Sequence, residues 1–196
     1  MSQIVRVNPA SMQEYVGKAN TAFADARAAL QELVKETAEV RYFGPNADRF
    51  KNECSTMTVE LSTKLLQQFQ RIADAVQGST SNIAASLGGS PVRLNLDATP
   101  LAPPTIPASP DVVDVDTSAL SALSDRARAS IGRVKEALQS HQQALEATDW
   151  VGDAKNQAVE VVGTATRAAQ GASDDSQAQI TTFITKQIDS VRSADK

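Results

Sequence analysis

Trp150-Val151-Gly152 sits between two long helix-like segments, and a degenerate copy, Tyr42-Phe43-Gly44, stands 108 residues earlier between two more. The chain reads as one helical hairpin written twice. The offset holds well away from the turn, because Val7-Asn8 precedes the first helical segment as Val115-Asp116 precedes the third. Between these anchors the apolar positions pair one for one without an insertion: Met12 with Leu120, Tyr15 with Leu123, Ala19 with Ala127, Phe23 with Ile131, Ala26 with Val134 and Leu30 with Leu138. Two copies of so long a period mark a duplicated domain, since a solenoid needs three or more short repeats to bury a continuous core. The expected fold class is all-α: two long antiparallel helical hairpins forming a four-helix bundle.

Residues 1–87 carry the first hairpin. Asn8-Pro9 predicts a helix start, with Asn capping free amides and Pro at a position whose hydrogen bond is missing anyway. Around Asn8, Val7 and Met12 occupy the two staple positions, and Val115 and Leu120 occupy them around Asp116. Met12, Tyr15, Ala19, Phe23, Ala26, Leu30 and Leu33 then recur at steps of three and four, the seam of a packed helix running to about residue 41. Gly44-Pro45 predicts a stop and a restart. The second helix carries Phe50, Cys54, Met57, Leu61, Leu65, Phe69, Ile72 and Val76 and is expected to fray between Gln77 and Leu87.

Six of the eight prolines lie in residues 88–116, which also hold Gly88-Gly89. This segment is expected to be an extended linker, reaching on the order of 90 Å at about 3.1 Å per residue. Hairpins packed head to tail need a connection of that length, whereas hairpins lying in one direction do not. Residues 117–196 carry the second hairpin, with a helix over about 117–148 and another over about 153–192. In the latter, Ala158, Val162, Ala165, Ala169 and Ser173 stand where the second helix has Phe50, Cys54, Met57, Leu61 and Leu65, and Gly163 and Gly171 each cost about 1 kcal/mol relative to Ala. Either a close helix approach or a local break near Gly171 to Asp175 is expected.

Of the 196 residues 41% are hydrophobic and only 4% aromatic, so the core must be aliphatic. The net charge of -4 provides no basic field for a polyanion, which argues against nucleic acid. The amino terminus lacks a charged segment followed by an apolar run, and no stretch approaches the roughly 18 apolar residues of a membrane span. Synthesis in the cytoplasm without a signal peptide is expected, with any export to the cell surface or beyond using another route. One cysteine, Cys54, offers no internal disulfide.

These residues resemble the small Trp-x-Gly helical-hairpin family, whose members are substrates and partners of the type VII (ESX) secretion systems of actinobacteria and their relatives. Members are about half this length and pair as antiparallel hairpins into a four-helix bundle, so the chain resembles a covalent tandem of two. The family turn runs aromatic-x-Gly, then a small residue, then Phe at the eighth position after the aromatic. The first copy has Tyr42, Gly44, Ala47 and Phe50; the second has Trp150, Gly152 and Ala154, with Ala158 in place of Phe. The resemblance implies that Trp150, Gly152, Tyr42 and Gly44, with Phe50 and Ala154, belong to a surface read by a protein partner of the secretion machinery. The family's Tyr-x-x-x-Asp/Glu export tag is missing: only Tyr15 and Tyr42 exist, followed four residues later by Ala19 and Asn46. Another subunit supplies the tag, Phe183 substitutes poorly for its tyrosine, or the protein is not itself secreted.

No constellation argues for catalysis, a metal or a cofactor. His141 occupies the position matching Leu33 without Cys or acidic ligands at helical spacing, and reads as a structural histidine. Cys54 reads as a small core hydrophobe. Asp174-Asp175 reads as a solvated break, lacking the spacing of a calcium loop. For Trp150 there are two compatible readings: closure of the seam at a turn, and an exposed aromatic anchor for a partner. The leading expectation is a non-enzymatic binding module, monomeric or weakly homodimeric. Two alternatives remain open, a membrane-active helical effector or pore component loosened at Ala158 to Ala172, and a structural self-assembling helical protein.

Overall fold

A computed structural model describes residues 4–109 and 112–195. Pro110 and Asp111 of the predicted linker, and the outermost residues of the two predicted hairpins, 1–3 and 196, lie outside the described residues. The chain is an all-α four-helix bundle, with α1 (Pro9–Glu39), α2 (Pro45–Leu87), α3 (Thr117–Glu146) and α4 (Asp153–Ala194). A two-residue strand stands just before each helix: β1 (Arg6–Val7), β2 (Tyr42–Phe43), β3 (Asp114–Val115) and β4 (Trp150–Val151). Among the described residues no helix is long and apolar enough to cross a membrane.

Helices α1 and α3 begin with the same cap. Asn8 Oδ1 accepts the amides of Ala10 and Ser11 at 3.0 and 3.3 Å, and Asp116 Oδ1 accepts those of Ser118 and Ala119 at 2.8 and 3.2 Å. Each cap satisfies donors that a helix start leaves without intrahelical partners. All seven seam positions expected on α1 are buried, as are their matched positions on α3 from Leu120 to Leu138. On α2 the seam is buried from Phe50 to Val76 except at Met57, which is half-buried while Thr58 turns inward and donates to the Cys54 carbonyl at 3.2 Å.

Two expectations are corrected. The end of α2 does not fray: the Thr80 hydroxyl donates to the Val76 carbonyl at 2.9 Å and accepts the Val92 amide at 3.2 Å. The chain reverses at Gly88 and Gly89, both at positive φ, and buries Val92 and Leu94. Helix α4 is also unbroken through Gly171 to Asp175. Ala165, Ala169 and Ser173 are buried, so the small residues line the core, while Asp174 and Asp175 stand exposed on a continuous helix.

The chain divides into two compact units, and each draws on all four helices. The Trp-turn unit comprises Met1–Ala26, Leu65–Thr99 and Lys135–Gly171; the Tyr-turn unit comprises Arg27–Lys64, Pro100–Val134 and Ala172–Lys196. In the first, the open end of hairpin α1/α2 shares a core with the closed end of hairpin α3/α4; in the second the roles are exchanged. The described linker residues carry no helix or strand beyond α2 until β3. In the Trp-turn unit the Asn95 amide donates to Asn20 Oδ1 at 2.8 Å. In the Tyr-turn unit Leu101 is buried and, with Pro104 and Pro107, borders a cleft of about 470 Å³ against Val34, Lys35 and Ala38 of α1.

His141 is fully buried in the Trp-turn unit, 2.7 Å through Nε2 from the Tyr15 hydroxyl and 5.1 Å from the Phe23 ring centroid. Nδ1 has no hydrogen-bond partner. Burial lowers the imidazole pKa to about 4 from an ordinary 6.5 and raises that of the Tyr15 phenol, so the folded pair is neutral. Because the unfolded chain binds this proton more tightly, stability is lost as pH falls from about 6.5 towards 4. Between pH 7 and 5 the unfolded-to-folded ratio should rise roughly 20-fold through this residue, about 2 kcal/mol. Urea denaturation of the wild type and His141→Leu at the two pH values checks this: the leucine variant should lose the dependence.

Candidate functional site at the two turns

Each turn carries a strand from the other hairpin. In the Trp-turn unit β1 pairs antiparallel with β4, Arg6 opposite Val151 and Val7 opposite Trp150. In the Tyr-turn unit β3 pairs antiparallel with β2, Asp114 opposite Phe43 and Val115 opposite Tyr42. The two ladders have the same register at the 108-residue offset. A further backbone bond extends each: the Asn8 amide donates to the Asp149 carbonyl at 2.9 Å, and the Asp116 amide to the Arg41 carbonyl at 3.2 Å. Each capping residue thus starts its helix and fastens its hairpin to the other one.

The glycines follow from the backbone. Gly44 has φ +118° and Gly152 φ +131°, where a side chain is strained. A Cβ on Gly44 would also lie 3.1 Å from Val113 Cγ2, whereas one on Gly152 would meet Val5 Cγ2 only at 3.5 Å. Their carbonyls then begin the next helices, Gly44 accepting the Ala47 amide at 2.9 Å and Gly152 the Lys155 amide at 3.1 Å. Lys155 Nζ donates to the Glu146 and Thr148 carbonyls at 2.9 and 2.8 Å, closing the end of α3.

Of the two roles expected for Trp150, its 1% exposure agrees with closure of the seam and corrects the exposed anchor; Tyr42 and Phe50 are buried too. Gly44 is buried, and Gly152 and Ala154 are half-buried. The two turns differ in aromatic content. In the Tyr-turn unit Tyr42 lies 5.6 Å from Phe50, which stacks on Phe183 at 5.3 Å and 6°. At the 108-residue offset the positions matching Phe50 and Phe183 are Ala158 and Ala75, so the Trp-turn copy has one indole where the other has three rings. Tyr42 Oη accepts from Gln187 Nε2 at 2.8 Å, whereas the buried Trp150 indole N–H has no partner.

The solvent face of each turn is aliphatic, which the sequence reading missed. Ile4 is 71% exposed beside Val5 and Val151, Val113 is 69% exposed against Gly44, and Val112 before it is 66% exposed. The repeat held the signal, since the offset matches Ile4 with Val112 and Val5 with Val113. Beside each aliphatic pair lies an ion pair, Arg6 with Asp149 and Arg41 with Asp114, the latter at 2.9 Å.

No protein-family model, curated protein or solved structure matches the chain. Among the described residues no group of three or more His, Cys, Asp or Glu is placed to hold a metal ion. Cys54 is buried, and burial pushes its thiol up to about 11, so it is a packed thiol rather than a nucleophile. Lys51 is buried with its ammonium 5.2 Å from the Phe43 ring centroid, and burial lowers its pKa.

The turn geometry predicts an order of costs. Gly152→Ala should cost about 1–3 kcal/mol through backbone strain, and Gly44→Ala more, because Val113 must also move. Ala158→Phe should cost about 1–3 kcal/mol by overfilling a site that is 1% exposed. Chemical denaturation of the variants checks the order.

Proposed function

We propose that the chain is a non-enzymatic binding module of the Trp-x-Gly hairpin kind, doing in one polypeptide what two such subunits do together, and that it serves type VII secretion as substrate, chaperone or targeting partner. The observation that carries this reading is the reciprocal seating of each hairpin's leading strand on the other hairpin's aromatic-x-Gly turn. Trp150, Gly152, Tyr42 and Gly44, with Phe50 and Ala154, then act from beneath: they fix the turn, and the partner meets the aliphatic surface it carries. Ile4, Val5 and Val151 form that surface in one unit, and Val112 and Val113 in the other. Val151 sits in one ladder and the other four residues lie within two positions of a laddered strand, so these aliphatic groups lose little freedom on binding, which favours a protein partner.

Expression in an actinobacterial host with intact type VII machinery, and in one with that machinery disabled, tests the reading. The chain, or a protein co-purifying with it, should reach the culture medium only from the intact host. The surface variants Ile4→Ser with Val151→Ser, which leave the buried turn residues in place, should reduce that export or co-purification roughly tenfold. Equal distribution in both hosts, with the chain binding no component or substrate of the machinery, would overturn the proposal.

A further inference from the structure

The two ion pairs at the turns are equivalent in position and opposite in sign. At the 108-residue offset Arg6 matches Asp114 and Asp149 matches Arg41. On the Trp turn the strand contributes the cation and the turn the anion; on the Tyr turn the strand contributes the anion and the turn the cation. The ladders around them share one register, so the charges can be exchanged on paper without moving the backbone. Were two copies of hairpin α1/α2 to pair through the same seats, Arg6 would stand at Arg41. Were two copies of hairpin α3/α4 to pair, Asp114 would stand at Asp149. Only the unlike combination sets opposite charges together at both turns.

We propose that these four residues are a pairing code that makes the two hairpins obligate unlike partners, and so keeps a duplicated sequence from associating like with like between chains. A duplication creates the hazard: both halves present the same seam and the same ladder, so apolar packing and backbone hydrogen bonds alone cannot tell self from partner. The ion pairs between α1 and α3, Glu36 with Arg126 and Glu32 with Arg133, do not serve this purpose for hairpin α1/α2. In its like pairing Lys18 would meet Glu36 favourably while Asp25 would meet Glu32 unfavourably, and the two offset one another. Discrimination there falls to the turn charges. The inference concerns pairing between hairpins and stands apart from the secretion reading.

The full-length chain tests it by charge exchange. Arg6→Asp with Asp149→Arg keeps both ion pairs within the chain, but makes like pairing attractive at every seat. Adding Arg41→Asp and Asp114→Arg keeps the internal pairs again and restores repulsion for like pairing with all signs inverted. A dimer that merely exchanges unlike hairpins between chains is equally open to all three proteins and cancels. After refolding at high protein concentration and low salt, light scattering on separated species should show a dimer-to-monomer ratio raised roughly tenfold in the double variant. That size follows from a factor of about 2 at each of the four seats of a like-paired dimer. The quadruple variant should return to the wild-type ratio, and added salt should narrow the difference. Arg6→Asp alone, which weakens the internal pair and favours like pairing, should dimerise at least as much as the double variant. Equal ratios in the wild type, double and quadruple variants would overturn the proposal.

Discussion

Seating one hairpin's leading strand on the other hairpin's turn is the constraint on which the rest depends. Helix seams are permissive: aliphatic stripes at steps of three and four accept many partners and several registers. The ladder is not. A one-residue slip would reverse which side chains face the core, moving Trp150 and Val7 to the opposite face. Because Asn8 and Asp116 are both helix caps and extensions of the ladders, the starts of α1 and α3 are each tied to the turn that follows the other. The seam register then follows.

With that frame held twice, the two copies were free to diverge inside it. At one turn stands the large indole of Trp150, with Ala158 and Ala75 at the positions matching Phe50 and Phe183; at the other stand the smaller Tyr42 and those two stacked rings. Deeper in, the Trp-turn unit holds the polar pair Tyr15 and His141 where the Tyr-turn unit holds Leu123 and Leu33, all buried. This second exchange conserves volume more closely than chemistry, as expected of cores packed to crystal-like density. The two exchanges also leave the Trp-turn unit with two buried ring nitrogens, His141 Nδ1 and Trp150 Nε1, that have no hydrogen-bond partner.

Much of the architecture was legible in the residues. Asn8-Pro9 and Gly44-Pro45 marked helix boundaries because capping and positive φ are local demands, and the matched apolar positions marked the seams because a buried stripe must repeat with the helical period. The four strands were not legible, since two residues are too few to show alternation and their partners lie more than 70 residues away. The sequence left Trp150 open between closing the seam and standing exposed, and only its burial decides between them. The end of α2 was misread because Gln77 to Leu87 is weakly apolar on its own; its order comes from Val92 and Leu94 packing in the same unit. At the candidate site the glycines were readable and the aliphatic surface was not, because Ile4-Val5 and Val112-Val113 look like unremarkable flanks until the ladder brings them over the turns.

The central claim is that β1 lies on β4 and β3 on β2, and amide NMR on the isotope-labelled full chain reads it directly. Cross-strand nuclear Overhauser contacts should join Arg6 to Val151 and Val7 to Trp150, and Asp114 to Phe43 and Val115 to Tyr42. They should persist in a sample mixed from labelled and unlabelled chains without intermolecular transfer. Absence of these contacts, or their replacement by contacts of residues 6–7 with residues 42–43, would contradict the account.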